Sequence, residues 1–253
     1  MMRRWVPSCM FLFLFTALVS TAAGLAQVGK AQKEGRRPHL DAMNVARKMT
    51  WYGHDTFKVA ADKVIYFDPF KLKAGLEPAD IILISHDHHD HCSPEDVKKI
   101  QKKDTIIVTT PDCAKKFSGN VRTMRPGEKL NLGTVQVEAV PAYNIGKEFH
   151  PKSKGWIGFI VTVPGGVRVY FAGDTDLIPE MKNIKADIAL LPVSGTYVMT
   201  AEEAARAAEM IKPQIAVPMH YGSILGSGED ANKFRSLVTQ VPVHIFEQIR
   251  QPE

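Results

Sequence analysis

Cysteine is scarce in this chain. Of 253 residues only Cys9, Cys92 and Cys113 are cysteine, and Cys9 lies in an N-terminal leader described below. The other two allow one disulfide, but spacing alone does not say whether they meet. Charge of one sign is also lacking. The formal net charge is +5, and its basic residues are scattered. The exception is Lys98-Lys99 with Lys102-Lys103, which reads as a solvated face on and just beyond a helix. Nothing here makes a case for a nucleic-acid partner. No serine or cysteine nucleophile motif is present either. Long apolar runs are missing too. Met10–Val19 is apolar, yet shorter than the roughly 20 residues a membrane-spanning helix needs.

That run reads instead as part of a secretory signal. Arg3 and Arg4 precede it, and Gly24-Leu25-Ala26 places small residues where a signal peptidase cuts. Cleavage is expected after or close to Ala26, giving an exported protein, periplasmic or secreted, with no membrane span. Losing residues 1–26 removes two positive charges from the +5 of the whole chain and leaves +3. Residues 27–47 are polar and irregular, with Lys30, Lys33, Glu34, Arg36, Arg37 and Pro38, and read as a flexible arm. A single domain is expected over 48–253, long enough to bury a full core.

Within it, residues 85–91 read Ser-His-Asp-His-His-Asp-His. His86, His88, Asp90 and His91 form the pattern H-x-H-x-D-H. Ala79-Asp80-Ile81-Ile82-Leu83-Ile84 before it looks like a buried strand. Ser93-Pro94-Glu95-Asp96 after it looks like a helix start, with Ser as N-cap and Pro at the first position. Imidazole and carboxylate are the usual ligands of zinc and similar ions. In an extended turn His86 and His88 point the same way and can grip one ion. Asp90 and His91 follow the bend and can serve a second. His89 is a spacer whose side chain should point away. Cys92 reads as a small packing residue rather than a ligand.

The rest of the chain alternates short strands with helices. Strands are expected over Met49–Tyr52, Thr56–Ala60, Val64–Phe67, Ile81–Ser85, Thr105–Thr109, Thr134–Val140, Trp156–Val163, Val167–Ala172, Ile188–Leu191, Ile215–Pro218 and Val243–Phe246. Helices are expected over Pro94–Gln101, Pro111–Phe117, Thr200–Ile211 and Asp230–Val238. Thr200-Ala201-Glu202-Glu203 is a capping box. Ile65-Tyr66-Phe67-Asp68 followed by Ala79-Asp80-Ile81-Ile82-Leu83 resembles Val169-Tyr170-Phe171-Ala172 followed by Ala186-Asp187-Ile188-Ala189-Leu190. Two similar halves suggest two facing sheets with helices outside, though buried strands can also resemble one another by chance.

Further ligand candidates sit at strand ends. Asp174, in Gly173-Asp174-Thr175-Asp176, can bridge two ions through its two oxygens. His220 ends the strand Ile215–Pro218 and precedes Tyr221. His150 lies in the loop after Tyr143, and His54 follows the first strand.

This order of ligands resembles the metallo-β-lactamase superfamily. Trp51-Tyr52-Gly53-His54, Tyr170-Phe171-Ala172-Gly173-Asp174-Thr175-Asp176 and Pro218-Met219-His220-Tyr221-Gly222 resemble one branch more closely. That branch comprises Zn-dependent hydrolases related to ascorbate-6-phosphate lactonases. The resemblance implies an α/β fold, a four-layer αββα sandwich of two mixed sheets with the metals at the sheet edge. It implies that His86, His88 and His150 hold one ion, that Asp90, His91 and His220 hold another, and that Asp174 bridges them. His54 and Tyr221 would be supporting or substrate contacts. Where many members carry the third His at the strand end, this chain has Tyr143-Asn144. Where relatives often carry His before the Gly-Asp pair, it has Phe171.

The implied cofactor is two divalent ions, zinc first, with manganese or iron as alternatives. The implied chemistry is a hydroxide between the ions attacking an ester, lactone or phosphodiester of a small-molecule substrate, with Asp90 orienting it. A β-lactamase-like amide hydrolase and a catalytically inactive metal-binding protein are the alternatives on this fold. Di-iron proteins that reduce oxygen or nitric oxide resemble H-x-E-x-D instead and usually add a flavin domain.

Overall fold

The computed structural model describes residues 42–252. The signal-like leader and most of the polar arm lie outside the described residues.

Each half of the chain builds one six-stranded mixed sheet. In the first, β1 (Met49–Gly53), β2 (Thr56–Ala60), β3 (Val64–Phe67), β4 (Ala79–Leu83), β5 (Gln101–Thr109) and β6 (Asn120–Thr123) lie side by side in chain order. In the second, β7 (Lys129–Leu132), β8 (Val135–Pro141), β9 (Ile157–Thr162), β10 (Arg168–Phe171), β11 (Ile188–Pro192) and β12 (Ile215–Met219) do the same. Each sheet opens as an antiparallel meander and finishes with parallel strands.

The similar halves seen in the sequence occupy equivalent places. β3 pairs parallel with β4, Ile65 opposite Ile81, and β10 pairs parallel with β11, Val169 opposite Ile188. In both, an aspartate beside the second strand closes the start of the first. Asp80 Oδ2 accepts from Val64 N at 2.8 Å, and Asp187 Oδ2 accepts from Arg168 N at 2.8 Å.

The period-2 alternation of a strand sorts side chains between layers. Ile65, Phe67, Ile81 and Leu83 face the second sheet, whereas Tyr66, Ile82 and Ile84 face outward. The sheets meet at Phe67 and Phe171, whose stacked rings lie 4.9 Å apart. Phe171 is therefore a core residue. Outside the first sheet, α2 (Pro94–Ile100) and α3 (Pro111–Ala114) cover Tyr66, Ile82 and Ile107 with Val97, Ile100 and Cys113. Outside the second lies α4 (Ala201–Ile211), which buries Ala201, Ala204, Ala205, Ala207, Ala208 and Ile211; α5 (Gly228–Leu237) packs beside it. These are the αββα layers.

Local signals hold where capping chemistry specified them. Ser93 Oγ accepts from Asp96 N at 3.3 Å, and Thr200 and Glu203 form the expected reciprocal box. Cys92 and Cys113 form a disulfide that ties the turn after the His-rich run to α3.

Several expectations need correction. The end of the supposed arm forms a short helix, α1 (Ala42–Ala46), with Ala42 and Ala46 buried in the core. β6 and β7 were not expected; they are half-exposed strands of four residues at the sheet edges, too short for their alternation to stand out. The expected last strand Val243–Phe246 is reduced to one bridge beside β12, where Ala216 N donates to Pro242 O and His244 N donates to Ala216 O, both at 2.9 Å. Two residues along the same edge stands Pro218, which has no N–H to continue the ladder.

Candidate metal centre

The ends of β3, β4, β10, β11 and β12 converge on one side of the sheets, and each delivers a polar residue there. Asp68 follows β3, Ser85 and His86 follow β4, Asp174 follows β10, Ser194 follows β11 and His220 follows β12. His54 and Asp55 form the two-residue turn between β1 and β2. Gly173, at φ +63°, permits the approach of the two sheets. A Cβ there would lie 3.1 Å from the Ile157 carbonyl oxygen and 3.2 Å from Ser85 Cβ.

Asp174 sits at the centre of the ring nitrogens. Its Oδ2 lies 3.1 Å from His150 Nε2, 3.3 Å from His220 Nε2, 3.4 Å from His91 Nε2 and 3.8 Å from His86 Nε2. On one side His88 Nδ1 is 3.1 Å from both His86 Nε2 and His150 Nε2. On the other, Asp90 Oδ2 is 3.6 Å from His91 Nε2. Zinc bonds of about 2.0–2.1 Å in a tetrahedron separate ligand atoms by about 3.3–3.4 Å. His86, His88, His150 and Asp174 make a first candidate set, with ligand atoms all within 4.8 Å of one another. His91 and His220 approach Asp174 at 3.4 and 3.3 Å to begin a second, which Asp90 joins at 3.6 Å from His91; His54 and Asp55 offer atoms within 4.8 Å of the same two histidines. His89 points away and its side chain is 82% exposed.

His150 reaches the first set despite its distance along the chain. The loop 145–149 leaves and returns, so that Pro151 pairs with Asn144 and Asn144 N donates to His150 O at 2.8 Å. Asn144 Nδ2 also donates to the carbonyls of Phe149 and Tyr197. Asp176, two residues beyond Asp174, accepts from Ile145 N and from Lys147 Nζ. The excursion thus puts a histidine where a strand-end ligand is needed.

Hydrogen bonds behind the rings fix their tautomers. Ser85 Oγ donates to Asp68 Oδ2, so it must accept from His86 Nδ1, 2.8 Å away. The His86 Nε2 lone pair then faces the centre. Asp68 Oδ2 also lies 2.7 Å from His91 Nδ1, which donates to it and leaves Nε2 free. Ser194 Oγ lies 2.7 Å from His220 Nδ1. Such partners are what orient a metal-binding imidazole.

The electrostatics call for cations. Burial pushes His86 well below the usual imidazole range and His88 down to about 4, so both are neutral. Burial opposes charge on His91 and His220 too, but Asp174 outweighs it, taking His220 up to about 9 and His91 well up. Burial likewise opposes charge on Asp174, and His220 with His91 overcome it, holding the carboxyl well below its usual range. The buried His91 Nε2 and Asp174 Oδ1 have no hydrogen-bond partner. A buried carboxylate ringed by four imidazoles, with the His86 and His91 lone pairs directed inward, fits metal binding.

The remaining expected residues divide. His54 is buried and its Nε2 lies 3.1 Å from Asp90 Oδ2, with its ring 4.2 Å from that of His220. Burial pushes it down to about 4. Asp90 is held below the usual carboxylate range; burial opposes this, and the His54 hydrogen bond together with neighbouring His91 outweighs it. Tyr221, expected as a supporting or substrate contact, is 5% exposed with its ring 4.7 Å from that of Trp51. It packs in the core behind the site, against Trp51, whose Nε1 donates to the His54 carbonyl.

Three residues were missed. Asp68 carries the tautomers of two rings, and its strand-end position was the available signal. Asp55 is fully buried beside His91, with both oxygens unpartnered and its carboxyl pushed up by burial. Trp156 lays its ring within 4.8 Å of His86 and 4.7 Å of His88.

Residues 48–220 match the family model described as beta-lactamase superfamily domain. A UPF0173 metal-dependent hydrolase of Thermoplasma acidophilum is 31% identical over 221 residues, covering 81% of this chain and 97% of the relative. A crystal structure assigned as a metal-dependent hydrolase of Parabacteroides distasonis is 36% identical with a TM-score of 0.69, over 80% of this chain and 93% of that one. Igni18, a metallo hydrolase of Ignicoccus hospitalis, is 27% identical with a TM-score of 0.65, over 79% and 94%. The chain belongs to the beta-lactamase superfamily, as one of its metal-dependent hydrolases.

Proposed function

We propose that the centre takes two divalent ions, zinc first, and hydrolyses an ester, lactone or phosphodiester bond of a small molecule. The observation that carries this reading is the convergence of two ligand sets on Asp174 Oδ2 at 3.1–3.8 Å. Bound ions would lower the pKa of a water to supply a hydroxide nucleophile at neutral pH and would polarise the scissile carbonyl or phosphoryl group. His86, His88 and His150 would hold the first ion, Asp90, His91 and His220 the second, and Asp174 both. Asp90 stays ionised at neutral pH, so its free oxygen can accept a proton from the attacking water and orient it. The His54 contact holds that carboxylate in place. The likeness to the lactonase branch puts lactones first among substrates to assay.

Elemental analysis of protein purified without chelator should find close to two metal equivalents. Metal-loaded protein should hydrolyse generic esters or phosphodiesters and lose that activity with chelator. Asp174→Ala should lose metal and nearly all activity while keeping its fold. Full metal and activity in Asp174→Ala would overturn the dinuclear reading.

We also propose export to the periplasm or medium, supported by the leader sequence and by the disulfide, since disulfides persist in oxidising compartments. Mass spectrometry should find a mature N-terminus near Gln27. An intact Met1 on cytoplasmic protein would contradict it.

A further inference from the structure

Among the described residues, six that are not glycine have φ in the left-handed region: His54, Asp68, Lys71, His150, Lys212 and His220. Such backbone is strained for an L side chain and persists only where the surroundings hold it. Four of the six belong to the metal centre, and Lys212 ends α4 as its left-handed cap. Lys71, at φ +52°, has neither role.

Its surroundings hold it firmly. Asp96 is buried, and its Oδ2 accepts from Lys71 N and its Oδ1 from Leu72 N, both at 2.9 Å. From the other side, Gln251 Nε2 donates to Lys71 O at 3.0 Å. The aspartate that serves the start of α2, immediately after the His-rich run, thus also fixes the backbone of this lysine.

The exposed side chain crosses to the loop after His220, where Nζ donates to Ser223 Oγ at 3.1 Å. On the way it lies 5.1 Å from the Phe70 ring centroid. That ring is 6.0 Å from His54 and 5.9 Å from His89, so Lys71 stands one aromatic ring from the Asp90 side of the centre. Lys116 is neutralised by Asp87, Lys147 by Asp176 and Lys152 by Glu180. Lys154 lies over the Trp156 ring on the other side. Among the described residues, no carboxylate lies within ion-pair distance of Lys71. Its ammonium has three donors, and the contacts above use one.

We propose that Lys71 is a specificity-determining residue that binds an anionic group, carboxylate or phosphate, carried by the substrate beside its scissile bond. This rests on the hydrolytic reading of the adjacent centre. The Asp96 clamp fixes the backbone from which the ammonium reaches Ser223 Oγ, a contact that the substrate anion replaces or joins. The substrates favoured are therefore anionic esters or lactones rather than neutral ones.

The test compares Lys71→Gln with the parent, both zinc-loaded. Glutamine keeps the Cβ and the backbone hydrogen bonds, so the fold is preserved. Three 4-nitrophenyl acyl esters are compared: a neutral acetate, a hemisuccinate with a free carboxylate, and an ester whose acyl chain ends in phosphate. Loss of a charged hydrogen bond should raise KM for an anionic ester about tenfold or more, leaving kcat and the acetate ester within about twofold. The arm that shows the larger change identifies carboxylate or phosphate. Lys71→Arg should retain most of the preference.

A second readout needs no turnover. Calorimetric titration of succinate and of inorganic phosphate into both proteins should show about tenfold weaker binding in Lys71→Gln for the favoured anion. Equal KM changes for neutral and anionic esters would overturn the proposal, as would unchanged anion binding, or loss of the preference in Lys154→Gln instead. If the parent hydrolyses none of the esters, the hydrolytic reading fails while the titration still decides what Lys71 binds.

Discussion

Replacing Asp68 by asparagine tests how the centre is preorganised. One oxygen of Asp68 accepts from Ser85 N at 2.7 Å, and the other receives Ser85 Oγ and His91 Nδ1. Asparagine can keep the first bond with its amide oxygen. Its amide nitrogen then faces two groups that were donors. It must donate to Ser85 Oγ or His91 Nδ1, and neither ring keeps its former partner. If His91 accepts at Nδ1, its proton moves to Nε2 and the lone pair needed for metal is lost. If Ser85 Oγ accepts, its hydroxyl hydrogen turns away from Asp68 and the contact that fixes His86 changes. Removing a partner of this kind weakens metal binding about 10- to 100-fold, or about 1.4–2.7 kcal/mol per ion. Because His91 serves one ligand set and His86 the other, both ions should be affected. Ser194→Ala, which touches only His220, should weaken one. Competition with a chromophoric zinc chelator measures both affinities. Two unchanged zinc affinities in Asp68→Asn would refute the argument that Asp68 sets the tautomers.

Other predictions follow from the same geometry. His150→Ala should lose the first ion and most activity; a variant that kept both ions would assign the third ligand elsewhere. His89→Ala, with its side chain in solvent, should keep its metal content and lose at most about tenfold in rate, roughly 1.4 kcal/mol of barrier. Replacing both Cys92 and Cys113 by serine opens a loop spanning 21 positions, and urea unfolding should report a loss of about 3 kcal/mol by loop-closure entropy. No change in unfolding free energy would show that the cross-link does not constrain the unfolded chain.

The sequence alone carried what depends on near neighbours. H-x-H-x-D-H between an apolar strand and a capped helix marked four candidate ligands, because each signal lies within a few residues. The capping box at Thr200 and the alternation of β8 were legible for the same reason. The pairing of Ile65–Asp68 with Val169–Ala172 pointed to two facing sheets, since buried parallel strands need similar apolar residues. The edge strands β6 and β7 are four residues each, too short for their pattern to stand out, and were missed; Pro218 ended a pairing that composition alone suggested. Tertiary structure decided everything that depends on distance in space. It brought His150 back beside Asn144, joined Cys92 to Cys113, and turned Tyr221 into the core. It placed Asp68 behind two rings and Asp55 beside His91. An isolated aspartate has no local signature of burial or partnership; only the convergence of strand ends from both sheets gives it those partners.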